Sequence, residues 1–347
     1  MVKLMRAVVA RKYGSPAGLS VEDIPVPRPG AGQVLIRMGA AALNPADLRS
    51  LSGVLKESAA LTVPHVPGSD FAGTVAEIGA GVTRFAVGDE VFGVGLPRAA
   101  AAMAAMLSSP PSLTTGAMAE YAVFEAVTPA LAHRPPGLAR EHAATLPIPG
   151  LTALALVRAG RVTPGQRVLV IGAAGGVGGA TVPLLTAAQL HVIATALPED
   201  EDYVRGLGAA EVIDYRTLDT VTETLRRYPH GVDAVVNLAL PGSALVAVGE
   251  AIKPGGRLLN AAFPSPDPAD FERTDITVER VLSHASPGDL DHLAAQAMTG
   301  VLPSTISRVF ALEQAPRAYA ELVETHVRGK LLVTATIDEI QSPRTRR

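Results

Sequence analysis

The chain has 347 residues, long enough for two domains and a sizeable buried core. A 48% hydrophobic and 18% charged composition excludes a disordered chain, and a net charge of −3 offers no electrostatic reason to bind nucleic acid or an anionic membrane. Cysteine is absent, which removes disulfides, thiolate nucleophiles and every cysteine-based zinc site.

The opening stretch MVKLMRAVVARKYG lacks the apolar core and cleavage site of a secretory signal, and the alanine-rich stretch Ala99–Leu107 is too short to span a bilayer. A soluble, cytoplasmic protein is expected, with a frayed polar tail QSPRTRR. The first third is rich in Val, Gly and Pro. RAVVARKYG, GQVLIRMGAAALN, GTVAEIG and DEVFGVG read as short strands between Gly/Pro/Asp turns, a barrel or rolled sheet. Residues 96–115 read as a half rich in the helix formers alanine and methionine followed by a Ser/Pro/Thr loop.

From about Ala139 the texture alternates. Helix LTALALVRAG leads to strand RVLVIG, a glycine turn, helix GGATVPLLTAAQ and strand HVIATA. Helix DEDYVRGLG, strand EVIDY, helix TVTETLRRYP, strand DAVVNLAL, helix ALVAVGEAI and strand GRLLNAAF follow. Five β/α alternations predict a parallel, doubly wound sheet. Pro183, inside one of these helices, is expected to kink it. Beyond Glu279 come a helix (DLDHLAAQAMTG), a strand (STISRVFAL), a helix (EQAPRAYAELVETH) and a last strand (KLLVTATI) that returns to the first module. The expected division is 1–127 for the first part of the β-rich module, 128–280 for the inserted parallel-sheet domain, and 281–347 for the return.

The turn after RVLVIG reads Gly172, Ala173, Ala174, Gly175, Gly176, Val177, Gly178, with Gly-x-x-Gly-x-x-Gly spacing between a strand and a helix. A helix N-terminus presents free N–H groups and positive dipole to a pyrophosphate, while glycines permit the tight turn and close approach of the phosphate. A generic tight βα turn is the plainer alternative. The alternation around this one favours a dinucleotide site.

With these features the sequence resembles the medium-chain dehydrogenase/reductase superfamily, and within it the zinc-independent quinone oxidoreductases related to zeta-crystallin. The segments that carry the resemblance are ALNPADLRSLSG (42–53), HVPGSDFAGTVAEIGAGVTRFAVGDEVFG (65–93), GAMAEYAVF (116–124), LPIPGLTALALVRAGRVTPGQRVLVIGAAGGVG (146–178) and RGKLLVTATI (328–337). The resemblance implies a GroES-like catalytic domain, a Rossmann domain, a cleft between them and a homodimer, and it makes residues 96–115 an insertion, either a surface helix or dimer contact or a wall of the substrate cleft. Where zinc relatives carry Gly-His-Glu, this chain has Gly68, Ser69 and Asp70. The eight histidines fall singly, without metal-ligand spacing, so no metal is expected.

The resemblance places Asn44 near the nicotinamide and the acceptor; a turn-capping role at Pro45 is compatible with that. Relatives that carry a tyrosine two residues after the aspartate of this motif have no match here, since Asp47 is followed by Leu48 and Arg49. Arg49 is either a ligand of an acceptor oxygen or an exposed or ion-paired arginine, and no general acid is named. Thr152 resembles the residue beside the nicotinamide amide, or serves as a helix N-terminal hydroxyl. The strand-end segments Asn237–Leu238–Ala239 and Ala261–Ala262–Phe263 should face the cofactor, or are loop. Lys330 either approaches the cleft or is solvated.

At the second strand's end, beside Thr195, Ala196 leaves room for a 2′-phosphate; Tyr215 matches a tyrosine that relatives stack or hydrogen-bond near it, Arg216 adds a charge, and the family's usual phosphate-binding lysine has no match here. The run Glu199–Asp202 argues the other way, since acids there meet a ribose 2′-hydroxyl or simply open a helix. NADP(H) is favoured, with NAD(H) open. The leading function is a metal-free NAD(P)H-dependent reductase of a small electrophilic acceptor, a quinone or α,β-unsaturated carbonyl. A tailoring reductase of a biosynthetic pathway and a cofactor-binding protein without turnover are the alternatives.

Overall fold

A computed structural model describes residues 2–57, 60–95, 112 and 114–335, so the 96–115 insertion falls almost wholly outside the described residues. The chain divides into two compact units. The first comprises residues 1–148, 285–298 and 304–347, and the second residues 149–284 and 299–303. The change of unit thus falls after Ile148 rather than at 127, because helix Arg140–Thr145 packs on the strands of the first unit. Among the described residues no helix is long and apolar enough to cross a membrane.

In the first unit, β1 (Leu4–Ala10) pairs antiparallel with β2 (Leu19–Pro25). The larger sheet is built from β3 (Gln33–Ala42), β4 (Asp70–Ile78), β5 (Glu90–Val94), β6 (Tyr121–Glu125) and β7 (Leu131–His133). The chain returns to it late, with β14 (Ile306–Ala311) and β15 (Lys330–Thr334), in the order β14-β15-β3-β4-β5-β7, with β6 also on β3. This is the β-rich arrangement expected from the short Val/Gly-punctuated runs, and the GroES-like domain that the resemblance implies. Its core holds Ile36, Val75, Val91, Leu131 and Tyr319, with Phe71 stacked on Phe124 at 4.4 Å between ring centroids.

Register in this sheet positions chemistry. Ala42, at the end of β3, faces Asp70 on β4 and Leu332 on β15. Antiparallel pairing continued two residues further sets Asn44 opposite Lys330. Three polar residues far apart in the chain therefore meet where the strands end. Helix α1 (Pro45–Ser52) starts at the same place and ends at Gly53, whose φ of 82° is the left-handed conformation that glycine adopts without strain.

The second unit is a parallel sheet of β8 (Arg167–Ile171), β9 (His191–Ala196), β10 (Glu211–Asp214), β11 (Val232–Asn237), β12 (Ile252–Asn260) and β13 (Thr277–Arg280). The order is β10-β9-β8-β11-β12-β13, with every pair parallel. Counted from β8, this is the 3-2-1-4-5-6 winding of a Rossmann domain. Valine and isoleucine fill both faces, as a sheet covered on two sides requires. Two elements differ from the sequence expectation. A sixth strand, β13, joins the edge, and residues Gly242–Ala251 wind as a 3-10 helix where an α-helix was expected. Helix Gly178–Ala187 runs through Pro183.

Candidate active site and glycine turn

In the second unit the glycine turn leaves the carboxyl end of β8, next to β11, where the winding reverses direction. Three glycines there meet three different surroundings. Gly172 takes φ 84°, and a Cβ on it would come within 2.9 Å of the Ala239 Cβ. Gly178 opens the helix so close to residue 173 that a Cβ would run into the Ala173 backbone. Gly175 is different, since its Cβ would meet nothing nearer than the Gly172 carbonyl oxygen at 3.6 Å, ordinary van der Waals distance. The protein's own packing accounts for the first two glycines and leaves the third unexplained. A cradle that a side chain would fill is the feature a bound pyrophosphate needs.

Thr195, buried on β9, accepts the N–H of Gly172 through Oγ1 at 3.3 Å and so ties the turn to the sheet. Ala173, Ala174 and Ala196 are buried beneath it. Asn237 is also buried, and its amide is used internally. Nδ2 donates to Leu240 O and Asn260 Oδ1, both at 2.8 Å, while Oδ1 accepts Leu240 N at 3.0 Å and Ala239 N at 3.3 Å. Asn260 in turn holds Ala262 and Ser265. This pair shapes the loops that carry Leu238, Ala239, Ala261 and Ala262, so the Asn237 side chain is a scaffold for its segment. Phe263 stands partly exposed beyond, and Thr152 is buried on helix Pro147–Gly160.

In the first unit, Lys330 is 3% exposed, so the solvated reading of this lysine does not hold. Its ammonium donates to Leu43 O at 2.7 Å and Asn44 Oδ1 at 2.6 Å, and reaches Asp70 Oδ2 at 3.4 Å. Three acceptors match the three N–H groups of an ammonium. Asn44 Nδ2 gives one hydrogen to Asp70 Oδ2 at 2.9 Å and the other, at a long 3.4 Å, to Ala42 O. Asp70 Oδ1 accepts the backbone N–H of Ile148 at 2.8 Å. Burial pushes the Asp70 carboxyl up and the Lys330 ammonium down, and each pulls the other back toward its charged form.

Asp47 lies beside this cluster, fully buried, accepting Ser69 Oγ at 2.7 Å, Asn44 N at 3.0 Å and, more weakly, Tyr319 OH at 3.4 Å. Desolvation raises its pKa to about 6, with Ser69 and the Asn44 N–H opposing. A folded-state pKa above the ordinary value means that Asp47 contributes stability present in full below pH 3.8 and lost as pH rises through about 6. We expect the unfolding free energy of the wild type, measured against Asp47→Asn, to fall by about 3 kcal/mol over that interval. Parallel profiles for the two proteins would show that Asp47 does not titrate there. Arg49, on α1, is half-buried, and desolvation lowers its pKa while Asp47 opposes that shift. The sequence reading missed Ser69, Asp70, Asp47 and Tyr319 as one network; the Gly68–Ser69–Asp70 departure was the one available signal.

Residues 30–134 match the alcohol dehydrogenase GroES-like domain, and residues 207–333 match the zinc-binding dehydrogenase domain. The chain is 34% identical to the chloroplastic quinone-oxidoreductase QR1 of Triphysaria versicolor, over 95% of this chain and 98% of that one. It is 30% identical to the quinone oxidoreductase of Sus scrofa, over 94% and 96%. The chain belongs to the quinone oxidoreductase family of the medium-chain dehydrogenase/reductase superfamily. The solved quinone oxidoreductase of Coxiella burnetii superposes with a TM-score of 0.83 at 28% identity, covering 96% of this chain and all of that one. As a family member it is an oxidoreductase, and the superfamily binds a nicotinamide cofactor.

One matching domain description names zinc, and the donors of this chain do not fit that metal. The chain has no cysteine, and among the described residues no group of three or more His, Cys, Asp or Glu side chains could hold an ion. At Ser69–Asp70 both Asp70 oxygens are already bound by Ile148, Asn44 and Lys330. The positive charge beside Asp70 is the chain's own ammonium.

Proposed function

We propose that this chain is an NADPH-dependent reductase of quinones or α,β-unsaturated carbonyls that works without a metal. The observation that carries this reading is a combination held by one chain. It has a glycine turn with an open position at Gly175, and a Ser69–Asp70 site whose charge is balanced by Lys330. Residues 172–178 would hold the pyrophosphate, with Thr195 fixing the turn and Tyr215 and Arg216 near the adenosine 2′-phosphate. When bound, the nicotinamide supplies a hydride to an acceptor that is already electrophilic.

As the acceptor gains the hydride its oxygen gathers negative charge and needs a donor. Asn44 suits that task. Lys330 and Asp70 lock its amide orientation, and its second Nδ2 hydrogen is spent only on the long bond to Ala42 O. Arg49 is the second proposed contact for the acceptor, and Thr152 the proposed contact for the nicotinamide amide. Homodimeric assembly belongs to the same reading, supported by the family resemblance, and sedimentation of the purified chain checks it.

Turnover of NADPH against a panel of small quinones and enones tests the proposal. Cofactor binding with no oxidation by any member of the panel would overturn it in favour of a binding protein without turnover. Elemental analysis should find no stoichiometric zinc, and EDTA should leave the rate unchanged. A chelator-induced loss rescued by zinc would remove the metal-free part of the reading.

A further inference from the structure

The carboxyl ends of β9 and β10 lie side by side, with Asp214 paired to Ala196. Beyond β9 the chain makes a 3-10 turn over Pro198–Asp200, and beyond β10 it continues through Tyr215 and Arg216. This rim receives the adenosine ribose in a Rossmann domain. An acid there meets a 2′-hydroxyl, and a cation there meets a 2′-phosphate. Here the rim carries both, joined to each other. Arg216 Nη2 donates to Glu199 Oε1 at 2.8 Å, both side chains being more than half exposed.

Several other charges around the rim are engaged elsewhere. Asp214 turns back on its own loop, taking the Arg216 N–H at 2.9 Å and the Thr217 hydroxyl at 2.7 Å. Arg205 is held by Glu201 at 2.8 Å and also donates to Ala210 O at 3.0 Å. Asp200 is buried. The guanidinium offered to a phosphate is thus Arg216, and the carboxylate already on it is Glu199.

We propose that Glu199 sets the preference between the phosphorylated and unphosphorylated cofactors by competing for Arg216. A 2′-phosphate, carrying a charge of about −1.5 to −2, must displace Glu199 from the guanidinium. A 2′-hydroxyl can donate to the same carboxylate with the ion pair left in place. The pair therefore narrows the gap between NADPH and NADH. This rests on the reading above that Arg216 lies at the adenosine 2′ position.

The test is a fluorescence titration of the full-length protein with NADPH and with NADH, for the wild type, Glu199→Gln and Arg216→Gln. Both side chains are exposed, and circular dichroism melts are to check that each variant folds. Wild-type dissociation constants for the two cofactors should lie within about tenfold of each other. Glu199→Gln should shift the ratio about tenfold toward NADPH, chiefly by tightening NADPH, and Arg216→Gln about tenfold toward NADH. If Arg216→Gln leaves the ratio unchanged, the 2′-phosphate placement itself is wrong. If Arg216→Gln moves the ratio and Glu199→Gln does not, the placement stands and the competition by Glu199 is overturned. Loss of both cofactors in a folded Glu199→Gln protein would overturn it as well.

Discussion

Replacing Lys330 with methionine should lower the unfolding free energy by roughly 3–5 kcal/mol, the usual cost of stripping one partner from a buried ion pair. Methionine keeps most of the length of the side chain and removes its charge. Asp70, with no exposed surface, then loses its counter-charge, Leu43 O loses a donor, and Asn44 Oδ1 loses its anchor. Urea denaturation reads the loss directly. The double variant Lys330→Met/Asp70→Asn discriminates between causes. If the uncompensated carboxylate is the main penalty, the second substitution should recover a large part of the stability, giving an interaction energy of about 1–3 kcal/mol. A single variant within about 1 kcal/mol of the wild type would mean that the pair is neutral in the folded protein. The folded fraction of Lys330→Met should also turn over more slowly, because the Asn44 amide is no longer held in one orientation.

That cluster is the part of the molecule that the sequence conveyed least. Its members stand at 44, 47, 69, 70, 319 and 330, and each taken singly has an ordinary reading. Asn44 can cap a helix, and a lysine near the chain's end is usually solvated. They become one network through strand register, with β15 and β4 pairing to either side of β3, and register across a late-returning strand is not written in local pattern. The Rossmann unit was legible for the opposite reason. Each βα step is local, its strands are continuous Val/Ile runs, and its turn is marked by glycines at fixed spacing. Where that unit was misread, tertiary context had overridden weak signals. Strand β13 is short and mostly exposed, so Thr277–Arg280 carries no hydrophobic run to announce it. The Asn237–Asn260 pair was visible only as two asparagines ending neighbouring strands, and their hydrogen bonds appear once those strands lie in register.

The glycine turn yields the sharper expectation, because two glycines three residues apart should fail in different ways. Gly175→Val should fold with nearly wild-type stability, since a Cβ at this position meets only Gly172 O at 3.6 Å. It should nonetheless weaken nicotinamide cofactor binding by about 100-fold or more, equivalent to about 2.7 kcal/mol, because the new side chain occupies the space a pyrophosphate needs. Gly178→Val should instead be destabilised by several kcal/mol, because its Cβ would run into the Ala173 backbone and the helix start cannot shift without moving β8. Thermal melts and calorimetric titration on both variants separate the cases. A folded Gly175→Val protein with undiminished affinity would remove residues 172–178 as the phosphate site. A Gly175→Val protein that failed to fold would mean instead that packing demands this glycine as well, and the openness at 175 would no longer argue for a ligand. The expected pair of outcomes, fold kept and ligand lost at 175 and fold lost at 178, ties the close approach to the cofactor rather than to the protein's own interior.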